Sequence, residues 1–239
     1  MRRNRVVDNA AAERKSYGFN ITFPSAPVME IMARAGFEFV QFDAEHGPFT
    51  PDSLDDLCRI ADGLGLTPMA RVPDIEDSTI LRFLDRGIMG ILGPHVSTRE
   101  KAERLVRACK FAPLGTRSMG SGRGAYHGDY PSTLEYMEHA NANVLVMAQL
   151  EDVAVLDDID GILAVDGIDY YSSGPQDIAQ SMGLPGQPTH PRVLEFEATV
   201  RDAVHAAGKK MVDDDMVAAR TADMLLDASR AFLAVEKKD

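Results

Sequence analysis

The chain has 239 residues, 45% of them hydrophobic, enough for a sizeable core in one large domain or two small ones. Its net charge of −12 and isoelectric point near 4.9 argue against a general binder of nucleic acid or anionic membrane. No apolar run approaches the ~18 residues that span a bilayer, and the basic opening MRRNRVV is not followed by a secretory-leader pattern, so a cytoplasmic, reduced setting is expected.

Apolar, strand-like runs alternate with helical patterns along the chain. Residues 17–22 read as a first strand and 26–35 as a helix; 39–43 is a second strand that runs directly into Ala44-Glu45-His46-Gly47-Pro48. Thr50 reads as an N-cap with Pro51 at the first helical position, and Leu54, Leu57, Cys58, Ala61 and Leu64 mark one helical face. A short strand at 67–71, a helix at 78–86 closed by Gly87, and a strand at 88–92 follow, the last leading into Gly93-Pro94-His95. Ser97-Thr98-Arg99-Glu100 is a capping box for a helix ending at Cys109. Residues 111–131 interrupt the rhythm with glycines at 115, 120, 122, 124 and 128, and a loop of that length is usually functional or mobile. Its Tyr126, His127 and Tyr130 are read either as a cover for a site or as surface packing.

The alternation resumes with a strand at 144–149, a helix at 153–165 and a strand at 168–171. A short helix after Gly174-Pro175 and a longer one at 192–207, stopped by Gly208, come next. Strands at 210–213 and 224–227 and a helix at 229–236 complete the count. Eight strand–helix repeats predict an α/β fold, a (β/α)8 TIM barrel in one domain over 1–239. A doubly wound sheet is the alternative, but no glycine-rich phosphate turn follows the first strand. Cys58 and Cys109 fall on apolar helical positions and are expected in the core, not in a disulfide or metal pair.

In such a barrel, functional residues sit where strands end. The predicted strand ends carry Asp43, Glu45 and His46, then Arg71, His95, Gln149 with Glu151, and Ser172-Ser173 with the Gly174-Pro175-Gln176-Asp177 turn. Glu151 and Asp177 stand one βα unit apart, and two carboxylates without Cys or His partners suit a hard divalent ion. Helix capping by Asp152 and Asp177 is the simpler reading. Arg71 is placed to stabilise a developing enolate oxygen, or else to form a structural salt bridge with Asp43 or Glu45. His46 is a candidate general base, and Asp85 reads first as an ordinary surface acid.

Together these segments resemble the HpcH/HpaI family of class II, metal-dependent pyruvate aldolases. The motifs in order are AGFEFVQFDAEHGPF, ARVP at 70–73, LDRGIMGILGPHV at 84–96, KFAPLGTRSMG at 110–120, AQLED at 148–152 and GPQDIAQSMGLPGQPTH. The resemblance implies a barrel of the phosphoenolpyruvate/pyruvate-domain type that binds Mg2+ or Mn2+, with Co2+ or Zn2+ as substitutes, through Glu151 and Asp177. It implies a 2-oxo acid such as pyruvate held by Gln149, by Gly174 and Pro175, and by the backbone N–H groups of Gln176 and Asp177. It further implies Arg71 on the enolate oxygen and His46, paired with Asp85, as base. An aldehyde is the second substrate, and a homo-oligomer, often a hexamer, is the family's assembly. Related enolate chemistry such as oxaloacetate decarboxylation, or a barrel that binds oxo acids without turnover, are the competing outcomes. The tail, KKMVDDDM and LLDASRAFL, departs from the family's apolar seventh strand and Gly-Ser-Asp turn, which bears on the aldehyde pocket.

Overall fold

Apolar segments bounded by turn residues become neighbours in a single curled, parallel sheet of seven strands in the computed structural model, which describes residues 1–237. Strands β1 (Ser16–Ile21), β2 (Phe39–Asp43), β3 (Thr67–Arg71), β4 (Gly90–Gly93), β5 (Leu145–Leu150) and β6 (Tyr170–Ser173) pair in chain order, and β7 (Met216–Arg220) pairs with the free edge of β1. Every pairing is parallel, so all the strands end at one rim. Between them run α2 (Ala26–Arg34), α3 (Pro51–Leu64), α4 (Asp77–Asp85), α5 (Arg99–Cys109), α6 (Thr133–Asn143), α7 (Ile159–Leu163), α8 (Pro175–Ser181) and α9 (Pro191–Ala206). α1 (Arg5–Ala11) precedes β1, and α10 (Val212–Asp215) and α11 (Thr221–Glu236) flank β7.

The two-residue period of the strands divides the core in two. Phe19, Val40, Phe42, Ala70, Ile91 and Val146 point outward and pack with helix residues such as Leu54, Cys58 and Leu105. Phe39, Met69, Leu92, Met147, Tyr170 and Met216 fill the inside of the curl, with Val6 of α1 among them. That interior pairs large residues with none: a Cβ on Gly18 would lie 2.3 Å from the Phe39 ring, and one on Gly90 2.8 Å from the Met69 side chain. Both cysteines are free and buried, as expected.

α1, which the sequence pattern did not reveal, plugs the amino-terminal end of the curl. Its N-cap Asn4 is fully buried; the side chain donates to the Met89 and Asn143 carbonyls, both at 2.9 Å, and accepts from Val6 N–H at 3.0 Å. Behind it Glu38 accepts from Asn9 and Tyr17.

The C-terminal expectations need correction. Residues 210–213 form no strand; Met211 makes a single parallel bridge to Tyr171, and α10 follows. Three consecutive aspartates there each find a basic side chain, Asp213 with Arg201, Asp214 with His205 and Asp215 with Lys210, which favours a tight turn over an extended edge. Residues 224–227 lie inside α11 instead of forming a strand, because Met224, Leu225 and Leu226 are themselves good helix formers, with Ala222 and Ala228 on either side. The expected helix at 153–165 is a 3-10 turn (Val153–Asp157) followed by α7, and α6 fills part of the stretch before β5. The loop carrying Tyr126, His127 and Tyr130 joins the bottom of α5 to α6, away from the rim where the strands end, and Tyr126 and Tyr130 pack on Tyr136. It therefore does not cover that rim within one chain.

Asn4→Ala removes both the N-cap and the donor to two buried carbonyls, so it is expected to cost about 2–4 kcal/mol. Urea unfolding followed by circular dichroism checks this; an unchanged midpoint would show that α1 is not part of the cooperative core.

Candidate active site

Because parallel pairing sets Asp43 opposite Arg71, the ends of β2 and β3 bring an acid and a base together. Arg71 donates from Nε to Asp43 Oδ1 at 3.0 Å and from Nη2 to Oδ2 at 2.6 Å, and its Nη1 lies 3.1 Å from Glu45 Oε2. The salt bridges weighed against an enolate role are thus both present. Three guanidinium N–H groups are engaged, and a guanidinium carries five. Burial opposes ionisation of Asp43, but the hydrogen bonds and charge of Arg71 outweigh it and hold that carboxyl below the usual range. Burial likewise opposes the charge on Arg71, and Asp43 followed by Glu45 and Glu151 more than restores it.

The array continues through His95 at the end of β4. Its Nε2 lies 3.3 Å from Glu45 Oε1 and its Nδ1 3.1 Å from Glu151 Oε1. The His95 backbone N–H also donates to Glu151 Oε1, at 2.9 Å. Gln149, on β5, donates from Nε2 to Glu151 Oε2 at 2.6 Å, while its own Oε1 is buried without a partner. Glu151 is only 2% exposed. Burial pushes its carboxyl up; His95 opposes this, and the Asp177 and Glu45 charges add to it.

Gly174, at the start of α8, keeps this corner open. A Cβ there would lie 2.3 Å from Glu151 Oε2 and 2.8 Å from Gln149 Nε2. Asp177 stands in the first turn of α8, next in space to Glu151. Its N–H closes onto the Gly174 carbonyl at 3.0 Å, so the carboxylate-binding role expected of that amide is not available. Pro175 occupies the first turn and Gln176 is exposed beside it.

His46 sits just past β2, with its side chain 64% exposed, 3.9 Å from Glu45 Oε2, and with its backbone N–H on Asp43 Oδ1. Asp85 is not beside it. It ends α4 near the amino-terminal side of β4, 3.5 Å from the buried Arg117. Within the chain the acid next to His46 is Glu45, a consequence of α4 running back antiparallel to the strands. His95 was visible at a strand end, but nothing in the sequence marked it as the link between Glu45 and Glu151.

The chain belongs to the HpcH/HpaI aldolase/citrate lyase family, whose description it matches over residues 18–236. It is 36% identical over 200 residues to the 4-hydroxy-2-oxovalerate aldolase of Rhodococcus jostii (strain RHA1), covering 83% of this chain and 76% of that protein. It is 34% identical over 223 residues to the hydroxypyruvate/pyruvate aldolase of Roseobacter denitrificans (strain ATCC 33942 / OCh 114), covering 92% of this chain and 85% of the relative. The crystal structure of an HpcH/HpaI aldolase from Desulfitobacterium hafniense DCB-2 superposes with a TM-score of 0.88 at 26% identity, covering 97% and 96% of the two chains. The chain is accordingly an enzyme of the aldolase, carbon–carbon lyase type. Among the described residues no helix is long and apolar enough to cross a membrane.

The raised Glu151 carboxyl has a consequence for the metal-free protein. A carboxyl whose folded pKa lies above its unfolded value contributes stability that is present below the unfolded pKa and lost as pH rises through the folded one. Glu151→Gln is therefore expected to raise the melting temperature at neutral pH in chelator, with the orphan Gln149 Oε1 turning to accept from the new amide. The gain should shrink on acidification toward the ordinary carboxylate pKa of 4.5. Melting scans across pH check this, and a variant less stable than the parent at pH 7 would contradict the sign.

Proposed function

We propose that the chain is a divalent-metal-dependent aldolase that cleaves or forms the bond between pyruvate, as its enolate, and an aldehyde, with 4-hydroxy-2-oxo acids as substrates. The observation that carries this reading is the open corner at Gly174. There the buried Glu151 carboxylate and the Gln149 amide lie where a Cβ on Gly174 would stand, Gln149 Oε1 is buried without a partner, and Asp177 is near enough to act on Glu151 by its charge. The names of the relatives from Rhodococcus and Roseobacter support the substrate class.

The donor set fits a hard cation. Glu151 and Asp177 supply carboxylate oxygens, the acids are in excess locally, and Mg2+ or Mn2+ accepts a few protein oxygens while leaving positions for substrate or water. Such an ion, when bound, supplies Lewis-acid stabilisation of negative charge on a keto oxygen. The remaining work falls to side chains. Arg71, clamped by Asp43 and Glu45, keeps guanidinium N–H groups unengaged and with them stabilises the enolate oxygen. The Gln149 amide and the Gln176 N–H, between Gly174-Pro175 and Asp177, orient the 2-oxo acid. His46, exposed beside Glu45, takes the proton of the 4-hydroxyl in cleavage; the C3–C4 bond breaks, its electron pair becomes the enolate, and the aldehyde leaves. Asp85 has no part in this within one chain.

The curl is read as a (β/α)8 barrel whose seventh position is reduced to the Met211 bridge, since β6 and β7 flank α10 at the two edges of the sheet. The chain is also read as a homo-oligomer, with a hexamer as the assembly. α11 buries only Thr221 while Leu225 and Phe232 are 52% and 64% exposed, an apolar stripe suited to a second copy. The two buried free thiols accord with a reduced, cytoplasmic setting.

Pyruvate incubated in D2O with the Mn2+- or Mg2+-loaded enzyme should exchange its methyl protons, read by NMR, and lose that exchange with chelator or with Glu151→Gln. Absence of metal-dependent exchange in the parent enzyme would sink the enolate reading. For assembly, Phe232→Asp with Leu233→Asp alters residues exposed in the single chain, so it should leave the fold intact and reduce the sedimentation coefficient. A parent protein that already sediments as a monomer would remove the oligomer from the proposal.

A further inference from the structure

His95 holds a backbone conformation that is uncommon outside glycine: its φ is +53°, in the left-handed region. The segment around it allows no easy relaxation. Pro94 and Val96 are buried on either side, and the Val96 N–H donates to the Gln149 carbonyl at 3.0 Å. The His95 carbonyl accepts from Lys101 Nζ at 2.9 Å. Strain of this sort persists only where surrounding contacts over-determine it, and it gathers at functional sites. Here the left-handed turn has one geometric result. It aims both the backbone N–H and the imidazole Nδ1 of the same residue at one oxygen, Glu151 Oε1, at 2.9 and 3.1 Å.

We infer that His95 is a positioning residue for Glu151: it clamps Oε1 from the β4 side while Gln149 holds Oε2 from β5, fixing the carboxylate plane against the space that Gly174 keeps open. Its Nε2 contact with Glu45, at 3.3 Å, ties this clamp to Arg71, so the acid and the guanidinium keep a set separation across the rim. The inference rests on the reading of Glu151 as a metal-holding acid, and it assigns His95 no contact with the reacting atoms. Groups that orient a ligating carboxylate typically contribute 10–100-fold in metal affinity.

Three proteins test it: the parent, His95→Gly and His95→Asn. Glycine relieves the positive φ but removes the imidazole, whereas asparagine tolerates the left-handed region and places an amide N–H where Nδ1 stood. Mn2+ binding followed by electron paramagnetic resonance should weaken by roughly tenfold or more in His95→Gly. Its melting temperature should not fall, and His95→Asn should recover most of the affinity although it cannot reach Glu45. Parent-like affinity in His95→Gly, or no recovery in His95→Asn, overturns the inference. Metal-free crystals of His95→Gly give a second, independent reading. There the Glu151 carboxylate should shift or split into conformers, and a carboxylate left in the parent position overturns the clamp whatever the metal does. Parent and Glu151→Gln proteins that bind Mn2+ alike would instead overturn the metal reading, and the crystals would still decide the clamp.

Discussion

The structure turns on one half-buried guanidinium. Arg71 is the cation around which Asp43 and Glu45 gather, and through Glu45 and His95 the same array reaches Glu151. Carboxylates brought this close in a partly dry setting repel one another strongly unless a positive charge lies between them. The guanidinium supplies that charge at the β2–β3 end of the rim. At the β5–β6 end Glu151 and Asp177 are less well compensated, and burial together with the Asp177 and Glu45 charges raises the Glu151 carboxyl. The two ends of one array are therefore electrostatically different: one is neutralised by the fold, the other keeps an excess of negative charge.

What lies beneath the rim makes this arrangement rigid. The inside of the curl is filled by Phe39, Met69, Leu92, Met147, Tyr170 and Met216 and is closed from below by α1. Glycines at 18 and 90 stand where the Phe39 and Met69 side chains need the space, so the strands approach closely enough to fix their register. Register then fixes chemistry, because a one-residue slip would turn Asp43 and Arg71 to opposite faces. A site whose residues come from the ends of β2 to β5 and the turn after β6 draws its precision from strands rather than from loops. The tail beyond α9 contributes none of these side chains, so its divergence leaves the array untouched.

Much of this was legible in the sequence because it depends on local rules. Two-residue alternation, Thr50-Pro51 and Ser97-Thr98-Arg99-Glu100 as helix starts, and Gly87 as a stop placed the strands up to β6 and the helices from α2 to α5 within a residue or two. The clustering of ionisable residues at strand ends follows from the same alternation. The tail was misread because its apolar run, Met224-Leu225-Leu226, has no period that separates a strand from a helix segment. α1 escaped notice because its cap and contacts are to residues far along the chain, Met89 and Asn143 among them.

The sequence by itself determined the family, the parallel α/β architecture and which residue types stand at the ends of the strands. Those follow from spacing and motif, which a linear chain carries in full. Only the tertiary structure decided who touches whom. It set Asp43 and Glu45 on Arg71, put His95 between Glu45 and Glu151, and sent Asp85 to Arg117 at the other end of α4. Such partnerships depend on strand register, on helix direction and on a single left-handed residue, and these are distances in space between groups that sequence separation does not encode.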